Sequence, residues 1–333
     1  MSDFAIVAVR GPLVESLHRV SVAVTRPDGE LVAWAGEPEQ LTYWRSAAKP
    51  FQLLPLVEDG GVAHFGLDRA MLALACGSHN AEPIHREVGA RWLAALGLTE
   101  ADLACGGHPS LWPTLADQMI HDDIVPTPLW SNCSGKHSAL LAQARLHDWA
   151  TSGYEEHGHP VQQRVAATIA AWSGLAPESL VWGVDGCTAA AVALSLRGMA
   201  VAYARLGVAD QPAMRTVREA MIGEPYLLAG ADRLDTVLMQ AWPGRVIAKI
   251  GAEGVYSATL PELGLGIALK VEDGDQKSAG LALVAVLDAI TARFGADRFW
   301  PGEALESWRE PAIRNTRRES TGHYGTLGGL RFG

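Results

Sequence analysis

In the stretch TYWRSAAKPFQ, Ser46 and Lys49 stand three residues apart, an interval that puts both on one face of a helix. A serine where a helix begins exposes its hydroxyl, and the unpaired backbone N–H groups there can hold an oxyanion. A lysine one turn later can reach that hydroxyl and, once desolvated, serve as its base. Pro50 has no N–H and fits only the first turn, so it pins the helix start near Ser46. A capping serine and a solvated lysine would satisfy the same four-residue pattern.

Two further motifs raise its standing. CGSHNAEP contains Ser78-His79-Asn80, and KIGAEGVY contains Lys249-Ile250-Gly251. Serine β-lactamases use S-x-x-K, then S-x-N, then K-T-G, in that chain order. This chain keeps the order but has Ile250 for the threonine, and Ser78 follows Ser46 by only 32 residues.

In WSNCSGKHSALL the Gly135-Lys136 pair suggests a phosphate loop. That pattern requires a glycine where Trp130 stands and a hydroxyl where His137 stands, so it fails. Cys133 could be a nucleophile with His137 as base. Cys133 and Cys187, each in a turn before an apolar run, could instead bind a soft metal or be buried apolar residues.

These residues need elements to hold them. RVSVAVTRPDGELVAWAG (19–36) alternates apolar and polar residues about Pro27-Asp28-Gly29 and predicts a hairpin. Helical spacing covers 46–58, 68–75, 82–96, 136–147, 160–172, 188–206 and 275–294, and strands are predicted over 245–273 and near the C-terminus. Strands toward both ends with helices between predict an α+β fold, a sheet packed by helices. No linker, repeat or low-complexity tract divides the chain, so a single domain over 1–333 is expected.

The 333 residues are 48% hydrophobic and carry a net charge of −10 with no basic cluster, which argues against nucleic acid or an anionic membrane as partner. No apolar run approaches the ~20 residues of a membrane-spanning helix. The opening MSDFAIVAVR lacks the basic region of a signal peptide, and the four cysteines are scattered, so a cytoplasmic protein with reduced thiols is expected.

Taken together, RSAAKPFQ, CGSHNAEP, NCSGKHSALL, GVDGCTAAAVAL and KIGAEGVY, with RGPLVESLHRV before them, resemble the Rhizobium-type thermolabile (class 3) L-asparaginases of the asparaginase II family. The matching segments span residues 10 to about 272. The resemblance implies hydrolysis of the L-asparagine side-chain amide to aspartate and ammonia, a serine β-lactamase/glutaminase-like fold and a homodimer. It implies Ser46 as nucleophile with Lys49 as base, Ser78 and Lys249 as a second pair that relays protons, and Arg45, His79 and Asp185 at the substrate. It also implies zinc on Cys133, Lys136 and Cys187, near the substrate and tuning its binding rather than activating water.

Three rivals stand beside this. CTAAAVALS faintly resembles the segment behind the nucleophilic threonine of self-cleaving asparaginases, which would make Thr188 the nucleophile, but Cys187 replaces that family's glycine. A β-lactamase-like hydrolase of another amide or ester is the second, and a non-catalytic zinc-binding protein on the same scaffold the third.

Overall fold

The computed structural model describes residues 4–295 and 303–333, so the first three residues of the N-terminal reading lie outside them. The chain divides into two compact units, each assembled from separate segments.

The first unit comprises Met1–Thr42, Leu194–Val208 and Val237–Gly333. Its centre is an antiparallel sheet in the strand order 312–314, 320–327, 5–10, 13–25, 265–271, 255–260, 247–250. The long strand Leu13–Thr25 serves two neighbourhoods. Its outer half pairs with Ala5–Arg10 and is exposed. The inner half, Val20 onward, is largely buried and pairs with Leu265–Val271 on one side and Leu31–Ala35 on the other. The predicted hairpin about Pro27-Asp28-Gly29 is therefore present. So are the strands predicted between 245 and 273, which form Ile247–Ile250, Val255–Leu260 and Leu265–Val271.

Helix Leu196–Val208 packs on three of these strands, and helix Gln276–Phe294 on four. The first lies so close that a Cβ on Gly266 would sit 2.0 Å from the Ala200 carbonyl oxygen and 2.3 Å from the Ala204 nitrogen. Neither backbone atom can move aside, so only glycine fits. The second helix is capped by Asp275, whose carboxylate accepts the Ser278 N–H at 2.6 Å, and it ends at Gly295 in the left-handed conformation.

The second unit, Tyr43–Ala193 and Ala209–Thr236, is mainly helical. Helix Lys49–Glu58 is buried from Lys49 to Leu56, as its nearly continuous apolar sequence requires. It packs against Arg69–Cys76, Ser134–Leu146, Pro160–Ser173 and Pro212–Gly223. The start of Ser134–Leu146 presses on Arg69–Cys76, where a Cβ on Gly135 would meet the Leu74 carbonyl oxygen at 2.5 Å. The glycine that suggested a phosphate loop is thus a helix-packing glycine.

One predicted helix is corrected. Residues 188–206 do not form one continuous helix: Ala190–Ser195 is a strand, and helix begins only at Leu196. Thr188 adopts a left-handed backbone with φ 73°, which stops helix propagation. Residues 190–193 then pair with Val181–Val184, and burial outweighs the helix preference of the alanines. Helices Pro113–His121 and Pro212–Gly223 are present without having been predicted.

Replacing Gly266 by alanine should destabilise the protein by about 1–3 kcal/mol through overpacking, read as a lower midpoint in chemical denaturation. An unchanged midpoint would show that the helix can retreat from the sheet.

Candidate active site

Nine of the ten residues singled out in the sequence belong to the second unit: Arg45, Ser46, Lys49, Ser78, His79, Cys133, Lys136, Asp185 and Cys187. Lys249 belongs to the first unit, on strand Ile247–Ile250, where it is fully buried and its Nζ donates to the Ile250 carbonyl at 2.8 Å.

Ser46 is half-buried in a single 3-10 turn, Arg45–Ala48, that runs directly into helix Lys49–Glu58. Arg45 opens that turn with φ 54°, a left-handed conformation uncommon for a residue with a side chain. Pro50 sits in the first turn of the following helix, as its chemistry demands. The Lys49 side chain is 1% exposed. Its Nζ donates to the Gly77 carbonyl, to Ser78 Oγ at 3.1 Å and to the Asn132 carbonyl at 3.1 Å. The hydroxyl hydrogen-bonded to Lys49 is therefore that of Ser78, rather than the Ser46 hydroxyl three residues before it. Carbonyl oxygens only accept, and a neutral amine has two N–H groups. With both given to Gly77 and Asn132, the lone pair of an unprotonated Lys49 would face Ser78 Oγ.

His79 lies beside this contact and is fully buried. Its Nδ1 accepts the Ala81 N–H at 3.1 Å, so Nε2 carries the proton and donates to Ser134 Oγ at 3.0 Å. The ring stacks on His85 at 4.9 Å. Burial first, then the neighbouring His85 and Lys49, hold its pKa well below the usual histidine range. The imidazole is a neutral brace between two motif turns.

The other cluster gathers Cys133, Lys136 and Cys187, all buried and all free of disulfides. Lys136 Nζ lies 2.8 Å from Cys187 Sγ. Cys187 hydrogen-bonds to Cys133; this, with Lys49 and Lys136 nearby, lowers the Cys133 thiol well below its ordinary value despite burial. Donating that bond and being buried both push Cys187 up. Burial would lower the Lys136 pKa, but the two sulfurs and Asp185 outweigh it and keep the ammonium charged. Asp185 in turn accepts from Arg45 Nε at 2.9 Å. Burial would raise its carboxyl, yet Lys136, Arg45 and the Gly186 N–H hold it below the usual range.

Two sulfurs and one amine converging in a dry site form a donor set suited to a borderline-soft ion such as zinc, provided the lysine gives up its proton. Among the described residues no group of three or more His, Cys, Asp or Glu side chains could hold a metal ion, so a three-protein-ligand site here depends on Lys136. The donors present fit that role.

Several residues of this region carried no signal in the sequence. The Tyr154 hydroxyl accepts the Ala104 N–H at 2.9 Å and lies 2.6 Å from His137 Nδ1, behind the cysteine–lysine cluster. Cys105, a third buried thiol, is near enough to Cys187 and Lys136 to feel their charges. Glu82, Tyr226 and Arg233 buttress the Ser78 turn. None of these lies inside a spacing that chemistry alone would single out.

The arrangement is a buried amine on a serine hydroxyl, beside a polar and sulfur-rich cluster. The sequence profile of the L-asparaginase II family matches residues 6–326, and the chain belongs to that family. No curated protein matches it significantly. Among solved structures it is similar to Mglu at 15% identity and TM-score 0.45, covering 83% of this chain and 67% of that one. Mglu in its glutamate form gives 15% identity and TM-score 0.44, with 83% and 61% covered. A β-lactamase from Mycobacterium bovis gives 13% identity and TM-score 0.43, with 83% and 94% covered. The chain thus spans about three fifths to two thirds of the Mglu chains it matches. No helix among the described residues is long and apolar enough to cross a membrane.

His79 and His85, both depressed chiefly by burial, make the fold acid-sensitive. A histidine whose folded pKa lies below its unfolded value of about 6.5 takes its proton mainly in the unfolded chain. Their contribution is therefore complete above pH 6.5 and is lost progressively as the pH falls below it. His79→Gln should flatten the decline in melting temperature between about pH 6.5 and 5. An unaltered pH profile would show that His79 does not contribute to it.

Proposed function

We propose that the protein is an L-asparaginase, hydrolysing the side-chain amide of L-asparagine to aspartate and ammonia through a serine–lysine mechanism. The observation that carries this reading, beside family membership, is the Lys49 amine buried on a serine hydroxyl at the motif turns.

Ser46 Oγ attacks the carboxamide carbon and its proton passes to Lys49. Backbone N–H groups at the start of the helical run hold the oxyanion that forms. The intermediate collapses by breaking the C–N bond, and the leaving nitrogen takes a proton and departs as ammonia. A β-aspartyl ester on serine remains, and water hydrolyses it. The Ser78 hydroxyl, hydrogen-bonded to Lys49, is suited to pass that proton onward. Arg45 and Asp185 carry the opposite charges that the carboxylate and ammonium of an amino-acid substrate need. Cys133, Lys136 and Cys187 would hold zinc, which when bound supplies a cationic centre near the substrate. The assembly proposed is a homodimer, which sedimentation would test.

The same Lys49–Ser78 contact favours a second reading, in which Ser78 is the residue acylated. Ser46→Ala and Ser78→Ala separate the two. Ammonia release from asparagine should fall by about three orders of magnitude or more in Ser46→Ala, with the fold intact. Trapped acyl-enzyme should map to Ser46 by mass spectrometry, whereas an adduct on Ser78 would reverse their roles. Wild-type turnover in both variants would sink the serine mechanism. Cys133→Ser should lose bound zinc; unchanged metal content would remove Cys133 from the ligand set.

A further inference from the structure

The turn that carries Ser78 is gripped from two sides. On one side, Lys49 holds the Gly77 carbonyl and Ser78 Oγ. On the other lies the segment Tyr226–Arg233, remote in sequence. The Ser78 N–H donates to the Leu228 carbonyl at 2.7 Å, and the Asn80 N–H to the Ala229 carbonyl at 2.9 Å. The approach is close enough to exclude side chains. A Cβ on Gly77 would meet the Leu228 carbonyl oxygen at 2.7 Å, and one on Gly230, whose φ is +104°, would meet Glu82 Oε1 at 2.2 Å.

Two charged side chains close the grip. Glu82 is 7% exposed, and its Oε1 accepts the Ala231 N–H at 2.9 Å and Asn80 Nδ2 at 3.3 Å. The other oxygen accepts the Tyr226 hydroxyl. Arg233 Nη1 donates to Asn80 Oδ1 at 3.0 Å and to the Ser78 carbonyl at 3.4 Å. Asn80 is thus oriented at both ends: its oxygen faces the cation, and its amide nitrogen faces Glu82 and the Ala231 carbonyl at 2.9 Å. The backbone N–H and C=O of Ser78 are both held from this one segment.

We propose that Glu82 and Arg233 are positioning residues: they clasp Tyr226–Arg233 onto the Ser78 turn and so fix where the Ser78 hydroxyl meets the Lys49 amine. The proposal rests on the serine–lysine reading above. Proton transfer along a hydrogen bond tolerates little displacement, and a shift of about 1 Å costs on the order of a hundredfold in rate. Loosening the clasp therefore acts on turnover rather than on substrate affinity.

The test uses the full-length protein as wild type, Glu82→Ala, Glu82→Gln and Arg233→Gln. Three readouts are taken: steady-state ammonia release from asparagine and glutamine, labelling of serine by a fluorophosphonate, and amide exchange of the peptide spanning 77–82. Glu82→Ala and Arg233→Gln should lower kcat about 10- to 100-fold with KM within about threefold, and should speed exchange at Ser78 and Asn80. Glu82→Gln should recover most of kcat, because its amide keeps an oxygen for Ala231 and Asn80 while Tyr226 turns to accept from the new N–H. Faster exchange with wild-type kcat, or equal impairment of Glu82→Ala and Glu82→Gln, overturns the positioning role. Unchanged exchange in both Glu82→Ala and Arg233→Gln overturns the clasp itself. Should Glu82→Ala not fold, Arg233→Gln decides. If the wild type releases no ammonia from either amide, the functional reading fails separately. The fluorophosphonate labelling rate then stands in for kcat: a slower rate in Arg233→Gln supports the clasp, and an equal rate overturns it.

Discussion

Burying the amine of Lys49 is the constraint on which the second unit is organised. An amine buried without hydrogen-bond partners would cost free energy in either protonation state. Here its Nζ meets two carbonyls and a hydroxyl, from Gly77, Asn132 and Ser78. Those acceptors come from the turn just after helix Arg69–Cys76 and the turn just before helix Ser134–Leu146. One side chain therefore ties three helical segments to a common point. Small residues line the same turns: Gly135 lies against the Leu74 carbonyl and Gly77 against the Leu228 carbonyl, where a side chain would clash.

The second charged interior obeys a similar logic with different partners. Lys136 is buried beside two sulfurs and a carboxylate, and Asp185 beside two cations. The cations Lys136 and Arg45 favour the charged form of Asp185, and Asp185 and the two sulfurs favour that of Lys136. His79 and His137 sit at its margins and remain neutral, the latter pushed down to about 4 by burial first and then by Lys136. The site thus keeps its ammonium and anionic groups inside a shell of uncharged braces.

Much of this was legible in the sequence because the chemistry is local. Ser46, Lys49 and Pro50 fall within five residues, and Cys133 and Lys136 share one turn-to-helix junction. The α+β character was legible as well, from the hairpin about Pro27-Asp28-Gly29 and the alternation beyond Arg245. Contacts between distant segments were not. Nothing in the spacing of Ser46 and Lys49 says that Lys49 will hydrogen-bond Ser78. Residues 188–206 read as helix because alanine favours helix wherever pairing does not intervene, and pairing with Val181–Val184 cannot be seen from propensity. Glu82, Tyr226 and Arg233 were missed for the same reason: their meaning lies in a chain segment some 150 residues away.

The interleaving of the two units has a consequence for how the chain comes into being. The segments of the helical unit end at Thr236, so all of it emerges before the sheet strands from Ile247 onward. The sheet unit is in the opposite position. Its strand Ala5–Arg10 pairs with Ser320–Leu327, about three hundred residues later in the chain. A strand edge with so distant a partner stays open until that partner is made, and unpaired edges are where chains associate wrongly. Closing the sheet therefore rests on a pairing that local chain order delays.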